Sequence, residues 1–450
     1  MEDLCGHIVV ALFAGFVGLA VPCARAADMP AAPEVTLLSD IMPLPLTVSS
    51  ATVMRAPEIT PTLLSGPGGL HLIYLGTAFT YLCSYQGNPL EAPVTLQPSD
   101  CAVVDLPGTQ SSPKVYVAPS DIPPGRPWKR NYDGVFSAQV THDSVAGNDV
   151  IVTVNHNEVK NEITRDGQRY QSPFAPAASD LPADCGVGGY AGRGQHHYQA
   201  CWQAYGAFIS LETVAITRET NFGRILNESD IGPVIWPTNG YYDLSRGVQG
   251  ELSDGVRHPS SIISGGYFYI FYLDTSKARI GGLSASGTKV ARAQISARGI
   301  PGSFFAWDGH AFAASELPRG FDAKNMINFI ARPGPQVSSL FAAEAARDPG
   351  YDLQSTHFSV GYDAHRHIYV GVEEVVAKEE GERGRNIALR LSPDLVHWSA
   401  RTVLDVEGKL LTYPKLSNAA FTSNNDLDLD NLYVVGRAHG ELNYVHLKVR

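Results

Sequence analysis

Five times between Tyr132 and Gly436 the chain opens a short apolar run on a polar or ring-bearing residue. In the clearest of these units Arg257-His258-Pro259 leads into Ser260-Ser261-Ile262-Ile263, turns at Gly265-Gly266 and returns as Tyr267 to Asp274. Alternation over such a length, bounded by glycine, is the mark of paired strands and not of helix. The other units open at Tyr132-Asp133-Gly134, near Tyr205, at Thr356-His357 and at Tyr413-Pro414. The first returns as Asp149 to Val154, ending in Asn155-His156-Asn157-Glu158, and the fourth returns as Ile368 to Glu374. Repeated antiparallel units of this kind cannot bury their faces singly, and the arrangement that buries all of them is a ring.

Composition agrees with short strands and many turns. Charged residues are 18% of the 450, against 43 glycines and 30 prolines, which leaves little material for long charged helices. The fold class read from this is all-β, a five-bladed β-propeller with an N-terminal extension and a short helical insertion. The insertion falls near Asp322 to Arg347, around Met326-Ile327-Asn328-Phe329-Ile330 and Ser339-Leu340-Phe341-Ala342-Ala343. The last unit has room for only three strands before the C-terminus, so a strand from the N-terminal region, placed near His71 to Leu75, is expected to complete it.

Residues 1–26 read as a signal peptide. The apolar core is Ile8 to Val21, and Ala24-Arg25-Ala26 gives the small residues of a cleavage site. Residues 27–60, rich in Pro, Ala, Thr and Ser, read as an extended leader, and 61–450 as one propeller domain. The expected location is secreted or periplasmic. In such a compartment the four cysteines beyond the signal segment are expected to form two disulfides, and of the three possible connectivities Cys83 with Cys101 and Cys185 with Cys201 is favoured because each closes a short loop. No C-x-x-C pattern suggests a metal, and no cofactor motif is present. The net charge of −11, without a basic block, excludes the electrostatic footprint of a nucleic-acid binder. No membrane partner is expected after signal cleavage.

One hairpin carries a more specific pattern. Ile387 to Leu391 alternates, breaks at Ser392-Pro393-Asp394, and continues through Leu395-Val396-His397-Trp398. Ser-x-Asp-Leu-x-x-Trp resembles the outer hairpin of a blade in the five-bladed β-propeller glycosidases, glycoside hydrolase family 43 and its relatives among arabinanases, β-xylosidases and fructosidases. That resemblance covers the chain from Asp133 onward and implies a polysaccharide or oligosaccharide substrate, arabinan-like or xylan-like, and an inverting pair of carboxyl groups. It implies a general base at the opening of the first unit, Asp133.

Glycoside hydrolysis needs one protonated and one ionised carboxyl facing across the bond. The candidates are Asp133, Glu158 and Glu374, with Glu158 or Glu374 as the acid. Each has an ordinary alternative: Asp133 precedes Gly134 and suits a turn, Glu158 suits a solvated strand end, and Glu373-Glu374 leads into a charged loop. Where the family opens units with Asp-Pro, the third unit has His258-Pro259. His156, Arg257, His258, His357 and Tyr413 stand at unit openings or ends and are candidate sugar contacts, with backbone-bonded structural roles as the alternative for each histidine. Trp202, Trp236, Trp307, Tyr241 and Tyr242 can supply stacking faces or core. Asp426-Leu427-Asp428-Leu429-Asp430 reads as a surface turn. Two other functions fit the same residues: a carbohydrate-binding propeller without catalysis, and a surface interaction scaffold.

Overall fold

The computed structural model describes residues 30–48, 60–69, 71–76, 80–103, 130–159, 162–165, 168–171, 208–218, 226, 233–235, 256–274, 279–280, 283–284, 287–315, 337–342, 344, 357–376, 385–404, 411–438 and 441–450. Within these, five antiparallel sheets of four or five strands form the blades of a propeller. Blade 1 is Thr62–Ser65, His71–Gly76, Thr80–Tyr85 and Cys101–Val103. Blade 2 is Arg130–Asp143, Asn148–Val159, Phe208–Thr217 and Pro233–Ile235. Blade 3 is Val256–Ser264, Tyr267–Asp274, Gly287–Gln294, Phe305–Trp307 and Phe312–Ser315. Blade 4 is Phe358–Asp363, Ile368–Val376, Arg385–Ser392 and Thr402–Leu404. Blade 5 is Thr412–Ser417, Leu432–Ala438, Glu441–Val449 and Val35–Leu37, with Met42–Pro43 pairing the same edge of Glu441–Val449.

Side-chain hydrogen bonds from the innermost strands, and from Asn424 in the loop after the first strand of blade 5, link the five blades into a closed circle. Thr62 Oγ1 donates to the Phe136 carbonyl at 3.0 Å, and Ser137 and Ser261 share a bond of 2.7 Å. Ser260 Oγ donates to the Phe358 carbonyl at 2.7 Å, and Asn424 Nδ2 donates to the Val360 carbonyl at 2.8 Å. Lys415 Nζ then donates to Thr62 Oγ1 at 2.8 Å, which joins blade 5 to blade 1. Where five strands converge serine is frequent, and it supplies both the small size and the bond that a buried polar backbone needs. Between blades the filling is apolar: Leu72 and Ile151 between blades 1 and 2, Val152 and Ile270 between 2 and 3, Phe271, Phe358 and Trp398 between 3 and 4, Val372 and Val434 between 4 and 5. Each such fully buried side chain is worth about 1.5–3 kcal/mol over leaving it in water.

Two sequence assignments change. Phe208-Ile209, in the run expected to open the second blade, does not open one, and 205–207 lie outside the described residues. Phe208–Thr217 is the third strand of blade 2, with Val154 opposite Thr213 and Glu158 opposite Ile209. The fifth blade instead comes from the N-terminal part, where His71–Gly76 is the second strand of its own sheet and not the closing strand of the last unit. Closure by an N-terminal strand does occur, through Val35–Leu37, whose Val35 lies opposite Val449 and Leu37 opposite Leu447. The expected leader thus contributes the edge strand of blade 5.

The Ser-Pro-Asp hairpin is built as the turn chemistry dictates. Asp394 Oδ1 accepts the amides of Val396 at 3.1 Å and His397 at 2.8 Å, and Ser392 Oγ accepts the amide of Leu395 at 2.9 Å. Trp398 Nε1 donates to the Leu395 carbonyl at 3.0 Å, and its ring meets Phe358 edge-on at 4.9 Å. The return strand is Thr402–Leu404. The same aspartate turn recurs at Asp143, Asp308 and Asp363. Cys83 and Cys101 sit opposite each other in blade 1 and form a disulfide with Cα atoms 4.0 Å apart. Cys185 and Cys201 lie outside the described residues. Of the helical insertion only 337–342 and Glu344 are described, where Phe341 packs edge-on against Phe358 at 5.2 Å.

Candidate functional site

Inner strands all begin at one end of the ring, so their openings share a funnel. Backbone geometry there is unusual. His258 has φ 56° and Tyr413 has φ 55°, each followed by proline, and the strand register slips between Arg257 and Ser260 and again between Thr412 and Lys415. Non-glycine residues in the left-handed region are uncommon, and bulges of this kind turn a side chain away from the sheet plane. Here the two residues so placed carry rings that both reach His357.

Those rings meet. His258 and His357 stack with centroids 3.8 Å apart, and the Tyr413 ring stands edge-on to His357 at 4.3 Å. Below them Phe136 stacks on His156 at 4.9 Å, with His156 and His258 6.4 Å apart. Three histidines from blades 2, 3 and 4 and a tyrosine from blade 5 therefore make one cluster. All of these except Phe136 were candidates on sequence. Arg257 stands opposite Leu273 at the same end of blade 3 and is partly exposed.

Glu374 lies two residues before the end of the second strand of blade 4 and is 2% exposed. Its Oε2 accepts the backbone N–H of Tyr413 at 3.1 Å, and its own N–H donates to the His357 carbonyl at 3.0 Å. A carboxyl group therefore lies directly under the ring cluster. Asp133 and Glu158 are placed by their backbones, and their side chains lie outside the described residues. Asp133 is opposite Asn157 and Glu158 opposite Tyr132, which puts both at the funnel end of blade 2. All three candidate carboxylates thus belong to one rim.

Other charged groups are committed elsewhere. Asp274, at the corresponding strand end of blade 3, forms a fully buried ion pair with Lys289 at 2.6 Å. Glu373 accepts from Arg390 at 3.0 Å, and the Arg390 guanidinium lies 4.2 Å over the Phe341 ring. Trp307 is not in the funnel; it sits in an outer strand of blade 3, 5.2 Å from Phe312. Trp202, Trp236, Tyr241 and Tyr242 lie outside the described residues. In the acidic turn Leu427 and Leu429 are buried while Asp430 binds Arg366 at 2.7 Å and Lys448 at 2.6 Å, as a surface turn should. Among the described residues no group of three His, Cys, Asp or Glu side chains is arranged so that it could hold a metal ion.

Two residues of the site escaped the sequence reading. Glu212, fully buried, lies opposite Asn155 in the third strand of blade 2. Its strand had been taken for an opening, which hid its place. Lys415 extends into the channel below the cluster, where it donates to Thr62 Oγ1 and the Phe136 carbonyl beside a cavity of about 40 Å³ lined by Ser137, Ser359 and Ser417. Desolvation there pushes its pKa down to about 7.

No family model and no curated protein matches the sequence. Solved structures with similar course include a thermostable family-43 glycoside hydrolase, at 10% identity and TM-score 0.39 over 89% of this chain and 95% of that one. Others are a putative exo-β-1,3-galactanase from Bifidobacterium bifidum s17, at 10% and 0.40 over 92% and 96%, and an α-L-arabinanase from Cellvibrio cellulosa, at 9% and 0.39 over 88% and 91%.

Proposed function

We propose that the protein is an exported glycoside hydrolase that cleaves an extracellular or cell-envelope polysaccharide, arabinan-like or xylan-like, in the funnel. The observation carrying this reading is the shared rim: Asp133 and Glu158 on blade 2 and the buried Glu374 on blade 4 beneath a His258–His357–Tyr413 cluster. In this reading Glu374 or Glu158 protonates the leaving oxygen and Asp133 activates water, while the rings hold the sugar by stacking and hydrogen bonds.

A panel of arabinans, xylans and fructans tests this directly. Release of sugar is expected, and Asp133→Asn should lower it by about 10²-fold or more with folding intact. Hydrolysis that survives Asp133→Asn, Glu158→Gln and Glu374→Gln alike removes the carboxylate mechanism.

A second reading has its own support. The inner openings of blades 1, 3, 4 and 5 carry Thr60, His258, His357 and Tyr413, so Asp133 is the carboxylate residue among the five. Binding without cleavage fits that set, and glycan retention by a protein that releases no sugar identifies it.

A further inference from the structure

A second locus lies at the opposite end of blade 3 from the funnel. Its second strand starts at Tyr267, just after the Gly265-Gly266 turn, and reaches the funnel end only at Asp274, roughly 25 Å away at about 3.3 Å per residue. Beside Tyr267 a groove of about 610 Å³ opens at the outer edge of the blade, lined among others by Arg292, Gln294, Ser303, Phe305 and Phe312. That volume suits one or two sugar rings.

Arg292 is held there in an uncommon way. Its guanidinium lies 4.3 Å from the centre of the Tyr267 ring and 4.2 Å from that of Phe312. One nitrogen donates to Tyr269 Oη at 3.2 Å. Among the described residues it has no acidic partner, and no Asp or Glu lines the groove. Aromatic faces shield a guanidinium from water without using its N–H donors, because those donors lie in its plane. What remains is a rigid fork with open donor positions at the edge of a groove, and a carboxylate matches such a fork in both spacing and charge. Phe305, 41% exposed, stands across the strand pairing from Arg292 and offers a flat apolar face in the same groove. An exposed phenyl ring beside a planar cation fits a pyranose that carries an acid group: the ring stacks and the acid is gripped.

We infer that this groove is a second, non-catalytic binding site for a uronate-bearing saccharide, through which the protein holds an acidic polysaccharide while the funnel works on another part of it. The inference rests on the glycan reading of the funnel for its purpose but not for its chemistry. Direct binding to the folded protein, with no turnover measured, therefore separates the two. Calorimetric titration with tetragalacturonate is compared with its methyl ester and with inorganic phosphate. The acid should bind at least tenfold tighter than the ester. Arg292→Gln should weaken it tenfold or more, Phe305→Ala three- to tenfold, and Asp133→Asn not at all. Equal binding of acid and ester, no binding of either, an unaltered Arg292→Gln titration, or displacement by equimolar phosphate would each overturn the site. Phe305 is exposed, so its variant tests the groove even if Arg292→Gln disturbs the packing of Tyr267 and Phe312.

Discussion

Glu374 Oε2 takes the backbone N–H of Tyr413 at 3.1 Å, so a carboxylate of blade 4 fixes the opening of blade 5. The two functions of that group can be separated. An amide oxygen accepts the same bond, so Glu374→Gln should keep the unfolding midpoint near its original value while sugar release falls by about 10²-fold. Glu374→Ala leaves the amide buried without its partner and should cost about 1–3 kcal/mol in denaturant unfolding. Equal stability of the two variants would mean that the bond does not hold Tyr413.

Lys415 predicts a pH dependence. Its folded pKa of about 7 lies below the ordinary 10.5, so between these values the unfolded chain binds more protons than the folded one. Stability from this group should therefore rise as pH goes from about 7 to 10.5, and its cost is fully present below 7. Lys415→Met should flatten that rise in urea titrations at pH 6, 8 and 10. A slope unchanged by the substitution would place the ammonium in a better solvated setting.

The Cys83–Cys101 bridge joins strands that are already paired in register, over a sequence separation of 18. Replacing both cysteines by alanine should lower stability by about 2–4 kcal/mol, chiefly through the unfolded chain, and leave the funnel's binding unchanged. Unfolding with and without reductant gives the same comparison on the unaltered protein.

Gly371 faces the interblade aromatic cluster. A Cβ there would lie 2.4 Å from a Phe358 ring carbon and 3.0 Å from Trp398. Gly371→Ala should cost about 1–3 kcal/mol, and near-ultraviolet circular dichroism should show the Trp398 environment altered. Ala tolerated at full stability would mean that the aromatic packing is looser than the geometry indicates.

Hairpins with a strong local cause could be read from the sequence. Gly265-Gly266 turns with positive φ at both positions, and Ser392-Pro393-Asp394 makes its own backbone bonds, so both units stood out. Glu374 was visible because a polar pair ended an apolar run. Phe208–Thr217 was misplaced because nothing local distinguishes a third strand from a first; pairing with Asn148–Val159 decides it, and pairing is a long-range property. His71–Gly76 failed for the same reason. Lys415 gave no signal at all, since Tyr-Pro-Lys looks like a solvated turn until four other blades surround it. His258 and His357 were found as openings, but their stacking depends on backbone twists that no pattern of residue types encodes.

The edge strand Val35–Leu37 pairs with Glu441–Val449, the latest strand in chain order. Blades 1 to 4 can each be completed from their own stretch of chain, whereas blade 5 waits for two segments some 400 residues apart to find each other. Contacts of such separation are the slowest to form, because the loop they close is the largest. The ring should therefore shut last during refolding, in a step whose rate falls when Leu37 or Leu447 is truncated, and an open, four-bladed arc is the species that a folding protein would expose longest to aggregation.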